Sequence, residues 1–193
     1  MSAKKIVIGV TGASGAPYAR RILTVLRDRA KESGDVELAC VLSPTARSVW
    51  ALECGGAPED LGVPIHAPDG YVAPFASGSA GWHAMAIVPC SMGTIGRIAH
   101  GVSDSLLTRT ADVMLKERRT LVVVPRETPM SAIHLENLLT LARAGALVLP
   151  ASPSFYGKPR SVDQLLDTVV GRVLDHLGVE HALVRRWGDK EAR

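Results

Sequence analysis

Residues 6–19 read IVIGVTGASGAPYA. A β-branched run passes through Gly, Ala and Ser into a stretch with Tyr18, Ile22, Val25 and Leu26 on one helical face. That is the form of a phosphate-binding turn. Small residues let the backbone approach an anion, and the first turn of the next helix offers N–H groups at its positive end.

The same alternation continues outward. Ile6–Val10, Val36–Leu42, Ala84–Val88, Leu121–Val124 and Ala146–Leu149 read as strands. Ala16–Lys31, Thr45–Glu53, Thr94–His100, Ser105–Arg118, Ser131–Ala144 and Val162–Leu177 read as helices. Strands alternating with helices predict β-α-β units, hence an α/β fold with a mainly parallel sheet and helices on both faces. Residues 54–81, rich in Gly, Pro, Ala and Ser, read as a long excursion with room for one short strand; loops of that length are usually functional or mobile. No repeat or linker divides the 193 residues, which predicts one domain, and residues 179–193 read as a polar, partly basic tail or arm.

Composition narrows the function. A net charge of +3 with scattered basic residues argues against a nucleic-acid partner. Sixteen of the 22 basic residues are Arg, the side chain suited to forked recognition of phosphate. The three cysteines form no C-x-x-C and the six histidines no ligand spacing, so no metal is expected. The apolar run after Lys5 is shorter than the ~7–15 residues of a signal core, and nothing approaches the ~18 of a membrane span. A cytoplasmic location is therefore expected.

In a parallel sheet, ligands sit at the C-terminal ends of the strands. Those ends are GVTGASG, LSPTARS, VPCSMGT, VPRETP and LPASPSFYGKP, each carrying polar or charged residues. A dinucleotide would need a carboxylate after strand two, where Leu42-Ser43-Pro44 stands, and no G-K-[ST] is present. A mononucleotide remains, with FMN the natural candidate. Cys90 has no histidine beside it in sequence and reads as a core residue. Arg109 and Lys116, seven residues apart, share a helix face. With Arg126, Glu127, Tyr156 and Arg172, they suggest a second, phosphate-bearing substrate.

Over nearly its whole length the chain resembles the flavin prenyltransferases, the UbiX-like flavoproteins. The resemblance rests on GVTGASGAPYA, VLSPTAR, VPCSMGTIGRIAHG, SDSLLTRTADVMLKERR, RETP, SFYGKP and GRVLDHLG. It implies a Rossmann-like three-layer α/β/α fold related to the flavin-containing cysteine decarboxylases, assembled as a homo-dodecamer with sites at subunit junctions. The implied reaction joins a dimethylallyl group from dimethylallyl monophosphate to N5 and C6 of reduced FMN without a metal. The prenylated FMN then serves a UbiD-type decarboxylase. FMN contacts would come from Gly12, Ala13, Ser14, Ser43, Ser91, Met92, Gly93, Thr94 and Arg126. Tyr156, Arg172 and Lys116 would hold the substrate, and Glu127, Lys116 and Arg109 would act in catalysis. The absence of an Asp-rich diphosphate–magnesium motif favours the monophosphate. Trp187 matches an aromatic position that reaches toward a neighbour. Trp82 and His83 depart from the family's smaller, more polar stretch beside the prenyl pocket. The alternatives are a non-catalytic FMN-binding subunit of a decarboxylase and a peptidyl-cysteine-type decarboxylase.

Overall fold

A computed structural model describes residues 3–186; Trp187 lies outside them. In chain order the elements are β1 (Lys4–Val10), α1 (Ala16–Ser33), β2 (Val36–Leu42), α2 (Ala46–Cys54), β3 (Ile65–His66), β4 (Ala84–Cys90), α3 (Met92–Ala99), α4 (Leu106–Lys116), β5 (Thr120–Pro125), α5 (Ala132–Ala144), β6 (Leu147–Val148) and α6 (Val162–Leu177). The six strands form one parallel sheet in the order β3-β2-β1-β4-β5-β6. The predicted α/β sandwich is therefore the observed one. Strand one starts two residues early because Lys4 and Lys5 pair with Val36 and Glu37.

Side-chain alternation along the strands divides the core in two. Ile6, Ile8 and Val10 of β1, with Val122 and Val124 of β5, pack under α1, α2 and α6. Val7, Met85, Ile87, Leu121 and Val123 pack under α3, α4 and α5. Each strand thus feeds both layers by the period of two that a pleated strand imposes. Burying one such aliphatic side chain contributes roughly 1.5–3 kcal/mol.

The excursion does contain one short strand, β3, and it is anchored. Phe75 and Trp82 are buried with their rings edge-to-face at 5.1 Å, and His66 meets Phe75 at 4.8 Å. Leu106 N–H donates to Pro68 O at 2.7 Å, tying the excursion to the start of α4. Residues 179–186 fold back rather than leaving the surface: Val179 is buried, and Leu183 packs on the first core layer.

This strand order sets the site. From β1 the chain first moves outward to β2 and β3, then returns to place β4 on the other side of β1. The loops leaving β1 and β4 diverge, opening a crevice at the C-terminal ends of the strands.

Candidate functional site

Thr11 stitches the floor of the crevice. Its hydroxyl donates to Pro89 O at 2.8 Å and accepts from Ser91 N at 2.8 Å, so the ends of β1 and β4 are held in one geometry. Gly12 follows, and its missing Cβ has a reason: a methyl there would lie 2.7 Å from Thr45 Cβ. The loop after β2 can therefore close against the loop after β1, with Ser43 Oγ 3.3 Å from Thr45 Oγ1. Gly15 has φ +124°, a backbone state that side chains rarely adopt.

The start of α1 differs from the sequence expectation. Its N–H groups were expected to face a ligand phosphate, but Gly15 N and Ala16 N both donate to Glu53 Oε2 at 2.8 Å. Glu53 comes from the end of α2, and the Ser14 hydroxyl lies against the same carboxylate. Burial pushes the Glu53 carboxyl upward, but the bonds from Ser14, Gly15 and Ala16 and the charge of Arg126 outweigh it, so its pKa is lowered. The protein's own carboxylate fills the anion seat at α1.

The ligand-sized space lies beside it. A cavity of about 350 Å³ is lined by hydroxyls from Ser43, Thr45, Ser91, Thr94, Ser105 and Thr108, with Arg97 and Asp104 at its edge. Ser91 caps α3, accepting from Thr94 N at 3.4 Å. Ser105 and Thr108 form the reciprocal cap of α4. Each hydroxyl keeps donor or acceptor capacity after these local bonds. Arg97 Nε bonds Asp104 at 3.1 Å. This donor set at the start of a helix suits a phosphomonoester and a polyol chain, so the residues fit the phosphate and ribityl parts of FMN.

Arg126 and Glu127 follow β5 directly, and Arg126 N–H donates to Cys90 O at 3.4 Å, beside the end of β4. Arg126 acts electrostatically on both Glu53 and Tyr18; burial pushes the Tyr18 phenol up and Arg126 opposes it. Glu127 Oε1 accepts from Thr128 N at 3.1 Å. The loop after β6 starts beside them, since Ala151 N–H donates to Pro125 O. It carries the exposed Phe155 and Tyr156.

The other expected residues lie elsewhere in the chain. Lys116 ends α4 four residues before β5 begins, toward the N-terminal end of the strands, where its Nζ bonds Glu117 at 2.6 Å. Arg109 turns to Ala76 O at 3.2 Å and to Asp112 at 3.1 Å. Arg172 stands ten residues into α6, roughly 15 Å along the helix from Val162, and bonds Asp175 at 2.9 Å. Of the expected FMN contacts, Ser43, Ser91 and Thr94 line the cavity; Arg109 follows the lining residue Thr108 but turns away to Ala76 and Asp112, and Lys116 and Arg172 pair with Glu117 and Asp175 outside the lining. Trp82 and His83 are also at that N-terminal end: His83 Nδ1 accepts from Lys5 N at 3.0 Å.

Cys90 is fully buried and burial drives its thiol upward, which leaves it inert. Among the described residues no group of His, Cys, Asp or Glu could hold a metal ion, and no helix is long and apolar enough to cross a membrane.

Residues 1–174 match the flavoprotein family. The flavin prenyltransferase UbiX of Halalkalibacterium halodurans is 47% identical over 191 residues, covering 95% of this chain and 93% of that protein. The chain belongs to the UbiX flavin prenyltransferase family. AnUbiX, solved in complex with FMN and dimethylallyl pyrophosphate, superposes with a TM-score of 0.91 at 41% identity, over 98% of this chain and all of that one. A dodecameric FMN-dependent UbiX-like decarboxylase from Escherichia coli O157:H7 superposes with a TM-score of 0.89 at 42% identity, over 95% of this chain and 98% of that one.

Among the residues that reading by motif missed, Glu53 had no signal, because nothing in its spacing ties α2 to α1. Ser105 and Thr108 did carry one, since the Ser-x-x-Thr cap is visible in sequence.

Proposed function

We propose that this protein joins a dimethylallyl group from dimethylallyl monophosphate to reduced FMN without a metal, as a cytoplasmic homo-oligomer, giving prenylated FMN to a UbiD-type decarboxylase. The observation that carries the reading is the hydroxyl-lined cavity at the C-terminal ends of β2 and β4, in a sheet whose next strand, β5, delivers Arg126 and Glu127 at that same end. Reduced FMN, when bound, supplies N5 and C6 as the two atoms to which the prenyl carbons become attached.

The chain's own residues do the rest. Ser43, Ser91, Met92, Gly93 and Thr94 hold the phosphate end, and Gly12, Ala13, Ser14 and Arg126 line the ring end. Lys116, Arg109 and Arg172 neutralise the charge that grows on the ester's phosphate as its C–O bond lengthens, each worth about 2.7–4 kcal/mol of barrier if preorganised. Tyr156 donates its hydroxyl to the same phosphate. Glu127 accepts the proton released on ring closure; Thr128 N–H holds one of its oxygens and the other is available.

Because one chain separates these groups, the site forms where protomers meet. Exposed apolar residues support association: Leu135 and Leu139 lie one turn apart on α5, at 55% and 50% exposure, and Phe155 is 70% exposed. A dodecamer, as in the E. coli O157:H7 relative, is the expected assembly.

The test is anaerobic incubation with reduced FMN and dimethylallyl monophosphate, and separately the diphosphate, followed by the mass of the released flavin. A gain of one C5 unit with the monophosphate is expected, and Glu127→Gln should bind FMN yet fail to complete the ring. An unchanged flavin would favour a carrier subunit. Carbon dioxide released from a peptidyl cysteine would favour the decarboxylase alternative.

A further inference from the structure

Arg172 does not stand alone on α6. Its Nη1 donates to Asp175 Oδ2 at 2.9 Å, and its Nη2 lies 3.4 Å from His176 Nε2. The second Asp175 oxygen, Oδ1, takes two groups from the chain beyond the helix: His181 Nε2 at 3.3 Å and Arg186 Nη2 at 3.1 Å. One carboxylate therefore ties the Arg172 fork to residues 179–186.

His181 is built into this place. Its side chain is only 3% exposed, although the rest of the cluster is near the surface. Nδ1 accepts from Leu183 N–H at 3.2 Å, so Nε2 carries the proton and donates to Asp175. The ring reaches Asp175 because Gly171 lies beneath it: a Cβ at 171 would be 2.9 Å from His181 Cε1 and 3.0 Å from Val184 Cγ2. Any larger residue in that turn of α6 would lift the segment off. Val179 and Leu183 seat the segment on the core from either side. The geometry has the form of a latch, with an apolar seat, a cleared landing site and a buried donor aimed at one oxygen.

We propose that Asp175 and His181 are positioning residues for Arg172, and that the segment after α6 folds over Gly171 to aim the guanidinium at the phosphate of the allylic substrate. This rests on the reading that Arg172 holds that phosphate. A guanidinium has five N–H groups, so those not engaged by Asp175 and His176 are left for the ligand. With Asp175 fixed by His181, the fork presents them in one direction. Without His181, the carboxylate and the arginine it holds gain rotamer freedom, which binding must then remove. A cavity of about 460 Å³ beside this cluster, lined by Arg172, Asp175, His176 and Arg186, gives an anion room to approach.

The test compares four full-length proteins by steady-state kinetics and FMN titration. His181→Leu keeps an apolar filler over Gly171 and removes the donor; His181→Gln restores an N–H near the place of Nε2. Asp175→Asn removes the hub's charge, and Arg172→Ala removes the group being aimed. His181→Leu and Asp175→Asn should each raise KM for dimethylallyl monophosphate about tenfold, the scale of one hydrogen bond to a charged group. FMN affinity should be unchanged in both, and His181→Gln should recover most of the loss. If Arg172→Ala raises that KM while His181→Leu and Asp175→Asn leave it at the wild-type value, the latch is wrong and the phosphate role of Arg172 stands. If Arg172→Ala itself leaves KM unchanged, the reading beneath the latch has failed. If His181→Gln is as impaired as His181→Leu, the donor to Asp175 is not what matters, and the proposal is overturned.

Discussion

Removing the carboxylate of Glu53 should loosen both the start of α1 and the crevice. Gly15, the N-cap residue of α1, offers no side-chain cap of its own, so Glu53 does that work from α2 with two bonds of 2.8 Å. Losing a helix cap costs about 0.5–2 kcal/mol. Because Glu53 is exposed enough for water to replace it in Glu53→Ala, the lower half of that range is expected, about 1 kcal/mol. For a chain of this size that is a fall of roughly 2–4 °C in thermal midpoint, measured at fixed protomer concentration. FMN affinity should fall as well, since the freed loop carries Gly12, Ala13 and Ser14. The pH dependence has a definite sign. The folded-state pKa of Glu53 is lowered, so its contribution is present above the ordinary carboxylate pKa and is lost as pH falls through the folded value. The gap between wild type and Glu53→Gln should therefore be widest near neutrality and close in acid. Equal midpoints and equal FMN affinities for Glu53→Ala and wild type at neutral pH would refute this account of the loop.

Three further outcomes follow from the geometry. Gly12→Ala must push Thr45 aside, an overpacking cost of about 1–3 kcal/mol, and should weaken FMN binding in a fluorescence titration. Asp167→Ala strands Arg21, which grips Asp167 through Nε at 2.6 Å and Nη2 at 3.0 Å between α1 and α6. A buried pair broken on one side costs about 3–5 kcal/mol, but Arg21 is 35% exposed, so about 1–3 kcal/mol in urea unfolding is expected. Thiol labelling of the folded protein at pH 8 should modify Cys54, which is half-buried, and spare Cys40 and Cys90; burial drives the Cys40 pKa up to about 12 and that of Cys90 upward too.

Much of this architecture was legible because two periods are written plainly. The alternating Ile6–Val10 and Leu121–Val124 runs feed both core layers, and α6 spans Val162–Leu177 as its periodicity predicts, between Ser161 and Gly178 as caps. The strand-end loops were legible for the same reason. What the linear chain hides is contact across it. Glu53 reaches α1 from 38 residues away with no motif to announce it. Arg109 and Lys116 both lie on α4, two turns apart, but a helix face carries no information about which end of the strands it approaches. That depends on α4 running from the crevice toward the start of β5. Trp82 and His83 precede β4 rather than follow it, so they stand at the N-terminal end of the strands, the end toward which α4 carries Lys116.

The claim that the phosphate grip and the flavin crevice come from different protomers is tested most directly by mixing two inactive variants. Lys116→Ala and Arg126→Ala chains, co-assembled in equal amounts, should regain activity at about one quarter of their sites, those pairing an intact Arg126 from one protomer with an intact Lys116 from its neighbour. Mixed assemblies as inactive as either variant alone would contradict it.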